Sequence, residues 1–321
     1  MTNKDSIKKT AIETIQQEAN AVEGLKERVN SDFADLVNVL LKNKGRLIVT
    51  GIGKSAIIAS KIVATLNSTG TPSVFMHAAD AIHGDLGIIR KDDLVMCISK
   101  SGNTPEIKVL VPLIKSMGHQ LVGLLGNRNS FLAKQADFIL DATVEKEACP
   151  NNLAPTSSTT AQMVLGDALA VALIEARGFT QNDFAKLHPG GTLGKQMYLR
   201  VSDLYIHNEK PVVDYQDDIR KVIVEISSKR LGATAVKQDG KVIGIVTDGD
   251  LRRMLQENDD VDTLKAADIL TVNPKSLQAD TLAVDALDIM RKNNITQVLI
   301  MNEDEYLGMV HLHDILEAGI L

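Results

Sequence analysis

The chain has no strongly basic block: its 35 lysines and arginines are outnumbered by 41 aspartates and glutamates, for a formal net charge of −6. A nucleic-acid partner would require a cationic footprint to neutralise phosphates, so that partner class is not expected. No uninterrupted apolar run approaches the ~18 residues of a membrane span, and the opening MTNKDSIKKT has no apolar signal region. The expectation is a cytoplasmic protein with no membrane partner. Cysteine is scarce, and Cys97 and Cys149 show no framework spacing, so both are expected to be reduced. What is present is length and apolarity: 321 residues with 44% apolar side chains can build two or three domains, each with a core.

From Ile7 to Leu40 the apolar residues recur at spacings of three, four and seven, which predicts a helix or helix pair over 5–43. Short β-rich runs follow at 46–50, 73–76, 93–99, 120–125 and 138–143, each succeeded by a loop and a helical stretch. These runs are continuous in hydrophobicity rather than alternating, as in strands buried on both faces. A five-stranded parallel sheet flanked by helices is therefore expected over 44–194. A long helix is predicted from about Ser158 to Arg177, capped by Ser157 or Ser158 and stopped by Gly178. Beyond it the chain repeats itself at an offset of 64 residues: VKQDGKVIGIVTDGDLRRML meets IMNEDEYLGMVHLHDILEAG, placing Gly244 on Gly308 and Asp250 on Asp314. Two copies are too few for a solenoid, so a paired module is expected after a boundary near residue 200.

The stretch VTGIGKSA (49–56) has the look of a phosphate cradle but fails two nucleotide signatures. A P-loop ending in Gly53-Lys54-Ser55 needs glycine where Ile48 stands. A dinucleotide fold accepts Gly51, Gly53 and Ala56, yet it needs an acidic residue about 20 positions on, and none precedes Asp80 at the end of the second strand. The physics common to both motifs survives: glycines allow close approach, and a helix N-terminus offers free N–H donors to an anion. Two more loops repeat the theme, SKSGNTPE (99–106) with Ser99, Ser101 and Thr104, and EKEACPNNLAPTSSTT (145–160). Three hydroxyl-bearing, helix-opening loops at one sheet edge predict convergence on a phosphate. Ordinary capping by Ser and Thr is the plainer reading of each loop alone.

GIGKS, HAADAIHGDLG, SKSGNTPE, EKEACPNNLAPTSSTT, GDALAVAL and HPGGTLG, in this order, closely resemble the sugar isomerase (SIS) domain of bacterial D-arabinose 5-phosphate isomerases. The terminal repeat resembles the paired CBS module those enzymes carry. The resemblance implies a flavodoxin-like three-layer SIS domain over 1–200, then a tandem α+β CBS module divided as 201–264 and 265–321. It implies conversion of D-ribulose 5-phosphate to and from D-arabinose 5-phosphate through an enediol, the first step toward Kdo for lipopolysaccharide, by a homotetramer that needs no cofactor. It further implies that Gly53, Ser55, Ser99, Ser101, Gly102 and Thr104 hold the phosphate.

Such a reaction needs a base, a group to polarise the carbonyl, and an anchor for the distant phosphate. By resemblance Glu106 and Glu147 supply the carboxylates, with Glu147 preferred as proton carrier and Glu106 as its structural partner. Lys54 is read as an electrophile that neutralises phosphate or enolate charge. His83 and His188 are candidates for ring opening or carbonyl polarisation. His188 follows the long helix and is read as reaching a neighbouring subunit's site, which recovered activity on mixing His188→Ala with Glu147→Ala subunits would test. In the CBS pair a Ser/Thr-x-x-Asp element ordinarily contacts a ribose. Thr247 and Asp250 keep it, whereas His311-Leu-His-Asp314 replaces the hydroxyl, so a nucleotide or pathway-product effector is expected at one copy more than at the other. His311 and His313 would share one face of a continued strand, as a plain edge or as metal ligands. The competing reading for the whole chain is a non-catalytic SIS phosphosugar regulator; a nicotinamide enzyme ranks third.

Overall fold

The computed structural model describes residues 4–257, 261 and 263–320. The chain forms two compact units, the first ending at Leu187 and the second beginning at His188. In the first unit the N-terminal periodicity resolves into two helices rather than one, α1 (Lys4–Glu23) and α2 (Ser31–Lys42), separated at Gly24 and a 3₁₀ turn over Lys26–Arg28. Asn30 starts α2 by accepting a hydrogen bond from the Asp32 amide, the ordinary role of an amide side chain at an N-cap.

Strands β1 (Leu47–Gly51), β2 (Ser73–His77), β3 (Leu94–Ser99), β4 (Leu121–Leu125) and β5 (Phe138–Asp141) alternate with α3 (Lys54–Ser68), α4 (Ala78–Ala81), α5 (Pro105–Ser116) and α6 (Phe131–Gln135). Two further helices, α7 (Ser157–Arg177) and α8 (Gln181–Leu187), close the unit. All pairings are parallel and the strand order is β2-β1-β3-β4-β5. One face of the sheet is covered by α2, α3 and α7 through Leu36, Ile62, Leu66, Leu165, Leu169 and Leu173. The other is covered by α5 through Ile107, Leu110, Val111 and Ile114. The continuous apolar runs of the central strands follow from this burial on both sides. Each such side chain removed from water contributes roughly 1.5–3 kcal/mol.

The order of strand addition reverses between β1 and β3: the connection out of β1 runs through α3 on one face, and the connection out of β3 runs through α5 on the other. The loops at their carboxyl ends therefore lead to opposite faces, the topological position at which ligands usually bind in an open parallel sheet. Helix α7 is long and apolar enough to pass a length-and-composition test for a membrane span, but Leu165, Leu169 and Leu173 are buried in the unit's core. Its N-cap position is Thr156 rather than Ser157 or Ser158, both of which lie inside it and are buried; Gly178 ends it in the left-handed conformation.

In the second unit α9 (Thr192–Tyr198) and α10 (Ser202–Tyr205) precede the repeat. The first copy runs β6 (Val212–Asp214), α11 (Ile219–Lys229), β7 (Ala233–Gln238), β8 (Lys241–Thr247), α12 (Asp248–Glu257). After α13 (Ala266–Ile269) and the short β9 (Thr271–Val272), the second runs β10 (Ser276–Gln278), α14 (Ala283–Asn293), β11 (Gln297–Asn302), β12 (Glu305–His311), α15 (Leu312–Glu317). The 64-residue offset is kept by the register irregularities at Val236/Lys237 and Ile300/Met301 and by the left-handed residues Arg230 and Asn294. Each lead-in segment packs on the other copy's core: Val201, Leu204 and Tyr205 join Leu287, Val298 and Val310, whereas Ala266, Ile269 and Leu270 join Val222, Val236 and Val246. The matched glycines are the contact points. A Cβ on Gly308 would lie 3.0 Å from Tyr205, and one on Gly244 would lie 2.5 Å from Leu270.

Candidate functional site

Three loop-to-helix junctions of the first unit lie at the carboxyl edge of the sheet, after β1, β3 and β5. At the first, Gly51 ends β1 and Gly53 is the N-cap of α3 with φ 59° and ψ −129°, a conformation that only glycine takes without strain. Lys54 opens the helix, exposed, and its side chain makes no hydrogen bond or ion pair among the described residues. Ser55 Oγ donates to Gln162 Oε1 on α7 at 3.3 Å.

At the second junction Ser99 is buried at the end of β3 and its hydroxyl pairs with Thr104 at 2.9 Å while accepting from the Gly102 amide at 3.1 Å. Ser101 Oγ is exposed and accepts from the Asn103 amide at 3.2 Å. Gly102 sits at φ 60°, its carbonyl accepting from Leu132 N at 3.0 Å. A Cβ there would lie 2.1 Å from Ser130 Oγ, the group that caps α6 through Ala133 N. Gly102→Ala thus combines a left-handed alanine with an overfilled contact. We expect it to raise KM for a phosphorylated ligand at least tenfold and to cost roughly 2–4 kcal/mol of stability; titration calorimetry and thermal unfolding check this, and wild-type affinity would show that the loop's shape is immaterial. Thr104 is the N-cap of α5, Pro105 its first residue and Glu106 its first acidic one.

At the third junction the expected proton carrier, Glu147, is deeply enclosed. Glu147 is 2% exposed. Its Oε1 accepts from Lys100 Nζ and from Ser158 Oγ, both at 2.5 Å, and its Oε2 accepts from the amides of Thr156 and Ser158 at 2.8 and 3.1 Å. Thr156 Oγ1 adds a further contact at 3.2 Å. Burial alone would push the carboxyl's pKa up; the donors, Lys100 first among them, outweigh it and hold it down to about 2. A carboxylate so saturated is a poor proton acceptor near neutral pH. Glu106 has the opposite surroundings, with Oε2 buried and without a hydrogen-bond partner among the described residues. Thr50 Oγ1 at the end of β1 and Ser157 Oγ in the first turn of α7 share that condition. An unpaired buried oxygen costs about 1–3 kcal/mol, and all three lie near the carboxyl edge of the sheet.

The hydroxyls of the third loop are spent within the protein: Ser158 and Thr156 on Glu147, Thr159 on the Thr156 carbonyl, Thr160 on Glu18 of α1. Ser157 alone of this run carries a buried, unpartnered hydroxyl. His83 is exposed beyond β2, at the same sheet edge, its amide bonded to the Asp80 carbonyl at 2.9 Å. His188 belongs to the second unit, in a turn whose carbonyl would lie 2.2 Å from a Cβ on Gly194. Gly53, Lys54, Ser55, Ser99, Ser101, Gly102, Thr104, Glu106, Glu147 and His83 all belong to the first unit, following the carboxyl ends of its strands, and His188 does not. Sequence reasoning missed Lys100 and Gln162. Lys100 lay in view between two hydroxyls, but no spacing rule reports that loops 47 residues apart meet.

In the second unit Thr247 and Asp250 cap α12 reciprocally: Thr247 N and Oγ1 donate to Asp250 Oδ2 at 2.8 and 2.7 Å, and Asp250 N donates to Thr247 Oγ1 at 3.2 Å. Arg253 pairs with the same carboxylate. At the second copy β12 ends at His311 and does not continue to His313. His311 instead caps α15, its Nδ1 accepting from His313 N at 3.1 Å and its amide donating to Asp314 Oδ2 at 2.7 Å. The rings stack with centroids 4.9 Å apart, and the end of β12 at His311 corrects the edge-strand reading of the pair.

A SIS domain model matches residues 40–172, and a CBS domain model matches residues 201–257 and 266–320. The chain is 47% identical over 315 residues to the arabinose 5-phosphate isomerase KdsD of Pseudomonas aeruginosa, covering 97% of each chain. It is 43% identical over 311 residues to KdsD of Escherichia coli K12, covering 96% of this chain and 95% of that one. Among solved structures, an E. coli CFT073 protein in complex with arabinose 5-phosphate is 41% identical with a TM-score of 0.57, covering 59% of this chain and all of the other.

Proposed function

The chain belongs to the arabinose 5-phosphate isomerase family, and from that premise we infer that it interconverts D-ribulose 5-phosphate and D-arabinose 5-phosphate through an enediol. What supports the reading on this chain's own residues is the placing of two helix N-termini, a hydroxyl loop and a lysine without a side-chain partner among the described residues at the adjacent carboxyl ends of β1 and β3. In this reading the phosphate takes the amides at the starts of α3 and α5 and the hydroxyls of Ser55, Ser99, Ser101 and Thr104, exchanging the Ser99–Thr104 bond for bonds to its oxygens. Lys54 supplies the full positive charge. Glu106 removes the proton alpha to the carbonyl and returns it to the neighbouring carbon, and Glu147 is the fixed anion that shapes the third loop. His83 and His188 remain the candidates for opening the sugar ring, His188 by reaching a neighbouring subunit within the proposed homotetramer.

Neither step of this scheme calls for a metal or redox cofactor. A cytoplasmic location and supply of Kdo belong to the same proposal, as does an effector in the cleft of about 530 Å³ lined by Arg230, Thr247, Arg252, Gln297 and His311. The test is an NMR time course of the full chain with D-ribulose 5-phosphate in D2O. D-arabinose 5-phosphate carrying deuterium at C2 is the expected result. Binding without turnover would move the protein to the class of phosphosugar regulators.

A further inference from the structure

Lys100 lies in the hydroxyl loop, yet its side chain serves another loop. Its carbonyl accepts from Gly126 N at 3.0 Å, which fixes the backbone against the end of β4, and its Nζ meets Glu147. Strands β3 and β5 are separated by β4, so their loops start about 9–10 Å apart, a gap that a four-carbon stem with a terminal donor spans and a shorter side chain does not. The Lys100 side chain is 44% exposed while the Glu147 side chain is 0% exposed. Glu147 in turn holds the first turn of α7 through Thr156 N and Ser158 N. On the far side, Ser55 holds Gln162 one turn further along α7.

We propose that Lys100 is a positioning residue for the isomerase site: by clamping Glu147 it sets the spacing between the hydroxyl loop 99–104 and the N-terminus of α7. The inference rests on the reading of that loop as the phosphate holder. The clamp also divides labour between two lysines of one sheet edge. Lys100 is neutralised by Glu147, and Lys54 keeps its charge for the ligand.

The charged and polar groups around Glu147 decide what removal of Lys100 does. From α7 come Thr156 and Ser158, both neutral; from α1 comes Gln17, whose amide bonds the Lys146 and Glu147 carbonyls, and Glu18, which bonds Thr160. Glu145 and Lys146 of its own loop are exposed. Lys100 is thus the only cation hydrogen-bonded to the carboxylate among the described residues. In its absence burial is opposed by dipoles alone and Glu147 takes up a proton at higher pH.

The experiment compares kcat and KM between about pH 3.5 and pH 9 for the full-length wild type, Lys100→Met, Lys100→Arg, Glu147→Gln and the double variant Lys100→Met/Glu147→Gln. Lys100→Met is expected to lose about 10- to 100-fold in kcat/KM, mostly through KM, as loop misplacement of an ångström does. Its acid limb should move to higher pH, and Lys100→Arg should restore most of the activity. The double variant should lose no more than the worse single one, because the two residues act as one unit. Wild-type kcat/KM with an unmoved acid limb in Lys100→Met, or losses that multiply in the double variant, would overturn the proposal. If Lys100→Met does not fold, Lys100→Gln against Lys100→Arg makes the same comparison. An inactive wild type would instead overturn the isomerase reading and leave the clamp to be judged by phosphosugar affinity in the same variants.

Discussion

Glu106→Gln is expected to lower kcat about 1,000-fold while leaving KM within about threefold and the melting temperature within about 2 °C. The substitution keeps the side chain's shape at the first turn of α5 and removes only its capacity to take a proton. Glu106 Oε2 is buried with no partner among the described residues, so no internal hydrogen bond is lost there, and the small favourable interaction of an acid with a helix N-terminus, about 0.3–1 kcal/mol, is the main stability term. Glu147→Gln supplies the contrast. It should lower kcat less and stability more, because its five donors lose their ionic acceptor. Exchange of the substrate's alpha proton with D2O separates the two residues: loss of exchange in Glu106→Gln with persistence in Glu147→Gln is the outcome expected. The reverse pattern would return the proton to Glu147 and make the unpartnered oxygen of Glu106 a feature without a catalytic role.

The sheet, its order of loops and the repeat were legible because each rests on local patterning. Continuous apolar runs report burial on both faces, and the 64-residue offset carries through from α11 and α14 to the caps at Thr247 and His311. Gly53 and Gly102 were legible as loop glycines, and the structure puts both at positive φ. The break between α1 and α2 was less so, since Val22, Leu25 and Val29 keep helical spacing straight through it. The exchange of lead-in segments between CBS copies was invisible, because Leu204 and Leu270 are apolar in either pairing. What the sequence could not report at all is which carboxylate is free. Glu106 and Glu147 each follow a hydroxyl-rich or charged stretch and each looks like a loop acid. Only the meeting of loops after β3 and β5 saturates one, and that meeting depends on the reach of Lys100 rather than on any spacing along the chain. Residues Ser157 and Ser158 show the same limit: both read as helix caps, yet one hydroxyl is bound to Glu147 and its neighbour's is unpartnered.

Glu147 also makes the first unit sensitive to acid in a predictable window. Its carboxyl falls from an ordinary value of 4.5 to about 2 in the folded chain. A group whose pKa is depressed by folding stabilises the native state at every pH above its unfolded value, and that contribution is lost as pH falls toward the folded value. The window here is from about 4.5 down to about 2, and the shift corresponds to roughly 3 kcal/mol. Glu147→Gln has no ionisable group at this position, so it should melt several degrees below the wild type at pH 7, at about 2–4 °C per kcal/mol for a unit of this size. The gap should narrow below pH 4.5 and shrink to about a quarter of its neutral-pH size by pH 2.5, as the stabilisation carried by the wild-type carboxylate is lost. The chain has no tryptophan, so scanning calorimetry is the suitable probe. A gap that stays constant from pH 7 to pH 2.5 would mean that the glutamine is disfavoured for its shape. A gap that closes with the carboxylate's titration would identify the charge, held by Lys100 and the start of α7, as what fixes the third loop in place.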